Sequence, residues 1–136
     1  MIQRVQTIWL FLAAIAVFLT LKFSFFSGTW ISDNSFHSFI ATDNFILMVL
    51  TSALGTAILV NIFLFKHRLL QFRLCIVAIT IECILLFLYL RQLKNYSKGT
   101  YDLWAIFHLV IFIALMLAAR GISKDEKLIK DSNRLR

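Results

Sequence analysis

The sequence predicts an all-α membrane protein: an antiparallel four-helix transmembrane bundle with a structured extracytoplasmic first loop. Three observations lead there. First, 60% of the 136 residues are hydrophobic and only 15% are charged, with a mean hydropathy of +0.83. A soluble domain carries roughly half apolar and a quarter charged residues. Second, the apolar residues fall into four long runs separated by short polar stretches. Third, the cations are divided unequally between alternate connections. This composition excludes a soluble enzyme, a disordered regulator and a secreted disulfide scaffold.

The first run, 7–23, is about 17 residues long, the short end for a span. A signal peptide is the rival reading, with Arg4 as its basic start. No Ala-x-Ala-like site follows, so a retained helix is expected, with Lys22 reaching back to the interface. The second run, 44–65, opens after Asp43, a suitable N-cap. The third and fourth runs are 69–90 and 101–119. Each is apolar all round, as a lipid-embedded helix is. Together, residues 1–120 form the membrane domain. Residues 121–136 form a basic cytoplasmic tail, read as helical: Gly121 closes the fourth helix, and Ser123 and Glu126 have capping-box spacing.

The long first connection, 24–42, holds Thr29-Trp30-Ile31 and Ser38-Phe39-Ile40 on either side of Asp33-Asn34-Ser35. Two short stretches around a turn-forming centre predict a small hairpin or cap resting on the helix ends. The second connection is a tight turn at Lys66-His67-Arg68, and the third, 91–100, is read as a loop.

One side collects Arg4, Lys66, Arg68, Arg73, Arg120, Lys124, Lys127, Lys130, Arg134 and Arg136; the other holds Lys22, Arg91, Lys94 and Lys98. Ten cations against four place both termini in the cytoplasm by the positive-inside rule. Trp30, Tyr89, Tyr96, Tyr101 and Trp104 then gather on the outer side as an aromatic belt, with Trp9 at the inner interface. The net charge of +7 is accounted for by this rule and by anionic lipid, so no nucleic acid is expected.

Ionisable residues inside a span are costly and are functional candidates by default. Glu82 lies eight residues before Leu90, and His108 seven after Tyr101. In antiparallel neighbours both sit roughly 10–12 Å below the outer end, so the two are expected to pair. Thr51 and Ser52 are placed to join the same polar layer. Gln71, Cys75, Ala78 and Glu82 follow one helical face, which should meet protein while the opposite side meets lipid. Thr51/Gly55, Ser52/Thr56 and Ala53/Ala57 offer small-residue pairs for close helix approach, and Asn61 an interhelical hydrogen bond. Cys75 and Cys83 are about 12 Å apart along one helix, too far to bridge. No catalytic, cofactor or metal set is read from the sequence: it has no His/Cys/Asp cluster, phosphate loop or Ser–His–Asp set, and His37 and His67 stand alone.

Three stretches carry a family resemblance. The opening MIQRVQT, the second turn RLLQFRLC and the ending ISKDEKLIK with Arg134-Leu135-Arg136 resemble a small membrane-protein family of the Bacteroidota, the domain of unknown function 4293. The resemblance spans essentially the whole chain. It implies a bacterial inner-membrane protein with four helices, and it implies no activity.

The function expected from these residues is non-enzymatic: an accessory or assembly subunit of a larger inner-membrane complex, with protein export or envelope biogenesis as the process served. The expected partners are anionic lipids and other membrane subunits, met by Arg68, Arg73, Lys124, Lys127, Lys130, Arg134 and Arg136. The tail is open to two readings, an interfacial helix or a docking segment. The alternative function is a small oligomeric transporter or channel using Glu82 and His108; a lipid-processing enzyme has little in the sequence to support it.

Overall fold

The computed structural model describes residues 2–134; the expected contact at Arg136 and the side chain of Arg4 lie outside the described residues. Four long helices follow one another: α1 (Ile2–Thr20), α2 (Phe45–Phe63), α3 (Arg68–Gln92) and α4 (Ile106–Arg134). Each packs on its neighbours in a ring, α1 on α2, α2 on α3, α3 on α4 and α4 back on α1. The sequence explains the closure of that ring. α1 buries Leu10, Ala13, Ala14 and Val17, and α4 buries Ala114, Leu115, Ala118 and Ala119. Alanines on both sides let the two backbones approach closely, which is how helices gain packing where lipid is the solvent.

The outward faces are apolar. Ile8, Phe11, Phe63, Phe87 and Leu109 are all more than half exposed. α2, α3 and α4 are each long and apolar enough to cross a membrane, while the apolar part of α1, Val5–Thr20, is shorter. On α3 the expected stripe holds throughout. Gln71, Cys75, Ala78 and Glu82 are buried, whereas Ile76, Val77, Ile84 and Phe87 face outward.

The expectation of an all-helical chain is corrected by a three-stranded antiparallel sheet, ordered β2-β1-β3. The hairpin expected in the first connection is present as β1 (Phe26–Trp30) and β2 (Phe36–Phe39), turning through Asn34 at φ 51°. Both strands begin before the stretches chosen from the sequence: Phe26 of β1 pairs with Phe39 and is buried with it, and β2 reaches back to Phe36, which pairs with Thr29. The third connection, read as a loop, supplies β3 (Tyr96–Tyr101), with Gly99 opposite Gly28. The sheet closes the end where α1 and α3 finish and α2 and α4 begin. Beneath it Phe25 and Phe39 pack on Tyr89, with ring centroids 4.5 and 5.8 Å away. Tyr89 is therefore a buried plug residue, not part of an outward aromatic belt. Asp102 ties the end of α1 to the start of α4 by accepting from Ser24 Oγ and, at 2.6 Å, from Ser27 Oγ.

Further expectations are corrected at helix ends. α1 starts at Ile2 and stops at Thr20, three residues short of the apolar run's end. Asn44, not Asp43, caps α2, its side chain accepting from the Ile46 amide at 3.0 Å; Asp43 instead accepts from Ile40 N–H. α4 starts five residues later than Tyr101, after a 3₁₀ turn at Leu103–Ala105. Gly121 does not end it. The helix runs on to Arg134, so the tail is a continuation of α4, and Ser123 and Glu126 form no capping box. Gly121 instead lets Gln6 of α1 approach: a Cβ there would lie 2.7 Å from Gln6 Cγ.

Among the small-residue pairs on α2, Thr51 and Gly55 are buried, whereas Thr56 and Ala53 are exposed and make no interface. A Cβ on Gly55 would stand 2.9 Å from Phe18 Cζ of α1. Gly55→Val should therefore lower stability by about 1–3 kcal/mol through overpacking. Gly55→Ala should cost less, because only a ring edge must move. Thermal unfolding of the two variants in mild detergent checks the order.

Candidate functional site

The bundle interior contains six buried carboxyl, carboxamide or imidazole side chains among the described residues: Gln6, Asn61, Gln71, Glu82, His108 and Asp125. They fall into three ties between helices. The most enclosed is the pair expected from depth. His108 Nδ1 of α4 lies 2.7 Å from Glu82 Oε1 of α3, with Glu82 0% and His108 3% exposed. Charge-assisted or neutral, such a bond requires one shared proton, held on Nδ1 or on the carboxyl. The imidazole sits under the aromatic plug, edge-on to Tyr89 at 4.8 Å and to Phe25 at 5.4 Å. The sheet end thus packs over this pair.

The pair leaves polar capacity unspent. Glu82 Oε2 and, on the interior face of α2, Thr51 Oγ1 are buried without a hydrogen-bond partner. Ser52 does not join this layer. It is half-buried, and its hydroxyl donates back to the Met48 carbonyl at 2.8 Å.

The second tie joins α2 to α3 nearer the opposite end. Asn61 Nδ2 donates to Cys75 Sγ at 3.2 Å, and Gln71 Nε2 donates to the Asn61 carbonyl at 3.2 Å. This is the interhelical bond expected of Asn61. Gly55 and Ala78 lie buried between the two levels, as packing positions.

The third tie was not read from the sequence. Gln6 Nε2 of α1 donates to Asp125 Oδ2 of α4 at 2.5 Å, both side chains being 6% exposed. The signal was present: Leu115, Ala118, Ile122 and Asp125 continue one face of a helix past Gly121. Treating Gly121 as a stop hid it.

The cations are not drawn into the bundle. Arg68 is half-buried, while Arg73, Lys124, Lys127, Lys130 and Arg134 are exposed. Lys130 pairs with Glu126 one turn earlier at 2.9 Å. Such an exposed pair adds little stability. Among the described residues no group of three or more His, Cys, Asp or Glu is placed to hold a metal ion. At the sheet end, burial, with the Asp43 carboxylate adding to it, raises the Tyr96 phenol above its ordinary pKa.

Helices of this length and apolarity, crossed by buried polar ties and closed at one end by a small sheet, define a predominantly helical protein with at least three segments suited to a membrane. The chain belongs to the family DUF4293, a domain of unknown function, which matches residues 2–135. No curated protein and no solved structure matches it.

Proposed function

We propose that this chain is a bacterial inner-membrane protein whose four helices all cross the bilayer, with both termini cytoplasmic. In this reading it acts without catalysis, as an accessory or assembly subunit of a larger membrane complex serving protein export or envelope biogenesis. One observation carries the reading. Among the described residues, all six buried carboxyl, carboxamide and imidazole side chains are engaged between helices, while the outward faces of the same helices are apolar. Polar groups committed to ties hold the register of a scaffold, and apolar faces are what lipid and neighbouring subunits meet. Short α1 fits a span if it tilts little and Lys22 reaches the interface.

Photo-crosslinking from the outward positions Phe11 and Phe87 in cells tests the assembly role. Discrete heteromeric adducts at one of these faces are expected. Crosslinks to lipid alone at both, with only free protein after gentle detergent extraction, would contradict it.

A second reading is favoured by one specific feature, the unpartnered Glu82 Oε2 and Thr51 Oγ1 in the interior. An oligomeric transporter or channel would use them, with His108, to pass a proton or ion. It predicts pH-dependent flux in liposomes that disappears in Glu82→Gln. A scaffold predicts no flux in either form.

A further inference from the structure

At the end opposite the sheet, the α2–α3 turn and the last turns of α4 enclose an open groove of about 590 Å³. Lys66, Arg68, Arg73 and Lys130 bring four cationic groups to its lining; among the described residues the one carboxylate there, Glu126, is taken up by Lys130. The lining is also apolar. Leu69 and Ile129 contribute to it and are 56% and 43% exposed. The first turn of α3 contains no acid, and its N-cap His67 makes no side-chain cap, so its free amides add to the positive field.

We propose that this groove binds the phosphate headgroup of an anionic phospholipid from the cytoplasmic leaflet, with an acyl chain lying along Leu69 and Ile129. The inference rests on the proposed orientation, which puts this end at the inner interface. Charge and shape select the ligand together. Arg68 and Arg73 present planar forks suited to phosphate oxygens, and Lys66 adds a third cation that no carboxylate of the described residues pairs with. A free phosphate would satisfy these cations but leave the apolar lining in water. An amphiphile satisfies both. The juxtaposition depends on α4 running unbroken past Gly121, because only that carries Ile129 and Lys130 to the turn.

The test titrates the purified full-length chain in mild detergent with phosphatidylglycerol, phosphatidylcholine or inorganic phosphate, read by native mass spectrometry and thermal unfolding. Phosphatidylglycerol is expected to be retained and to stabilise, phosphatidylcholine not, and equimolar inorganic phosphate is expected not to displace it. Arg68→Gln with Arg73→Gln should weaken phosphatidylglycerol binding roughly tenfold or more. Arg73→Gln alone, at an exposed side chain, should shift it in the same direction without touching the fold. Lys94→Gln with Lys98→Gln, at the sheet end, should leave it unchanged. Equal retention of the two lipids, equal loss in the Lys94/Lys98 variant, or displacement by equimolar phosphate would each overturn the proposal. A wrong orientation would show in the sidedness of labelling, not in this titration.

Discussion

His108→Leu will destabilise the protein by about 2–3 kcal/mol, more than the loss of a typical hydrogen bond in a membrane protein. Interhelical hydrogen bonds between membrane helices average only about 0.6 kcal/mol. The difference here is what remains behind. Glu82 already has one buried oxygen unpartnered, and the substitution orphans the other. An unsatisfied buried polar group costs about 1–3 kcal/mol, and more when charged. Glu82→Gln, which keeps an amide within reach of Nδ1, should cost about 1 kcal/mol or less. Glu82→Leu with His108→Leu removes both orphans and should be more stable than His108→Leu alone. Unfolding in detergent, run as a double-mutant cycle, reads this directly. Additive single effects would mean that the pair contributes nothing as a pair.

The second large effect lies in the tail. Truncation after Gly121 should destabilise the bundle by about 3–5 kcal/mol, whereas truncation after Lys127 should change stability by less than about 0.5 kcal/mol. The reason is where burial ends. Ile122 is fully buried and Asp125 nearly so, while Leu128, Ile129 and residues 130–134 are exposed. Losing Ile122 forfeits about 1.5–3 kcal/mol of apolar burial. Losing Asp125 removes the partner of a buried Gln6, worth about 1.5–3 kcal/mol for a bond to a charged group. The tail thus has two halves. The first belongs to the α1–α4 seam, and the second projects from the bundle and lines the basic groove. Equal unfolding temperatures for the two truncations would refute this division.

How much of this was legible follows from what each element leaves in the sequence. Membrane-length runs mark their own ends, and ends mark depth. That is why Glu82 and His108, 26 positions apart, were expected to meet and do. The α3 stripe was legible because Gln71, Cys75, Ala78 and Glu82 are unlike their apolar neighbours. The hairpin announced itself through Asp33-Asn34-Ser35. β3 did not: YSKGTY is mostly exposed and shows no alternation of apolar residues, since it is held by backbone pairing with β1. The continuation of α4 was hidden by Gly121, whose missing side chain serves Gln6 and not a turn. Asp43 and Asn44 are equally good caps on paper, and the 3₁₀ turn at Ala41–Asp43 decides between them. The Gln6–Asp125 tie depends on that unbroken helix, so it was lost with it.

In the proposed orientation α2, α3 and α4 cross the bilayer, with the sheet outside and the α2–α3 turn inside. Cysteine accessibility in intact spheroplasts tests it most directly, in a chain carrying Cys75→Ala and Cys83→Ala. Ser35→Cys in the hairpin and Ser97→Cys in β3 should both react with an impermeant maleimide added outside. His67→Cys in the α2–α3 turn and Ser132→Cys at the end of α4 should react only after permeabilisation. Labelling of Ser35→Cys and Ser97→Cys from opposite sides, or of Ser132→Cys in intact spheroplasts, would contradict the account.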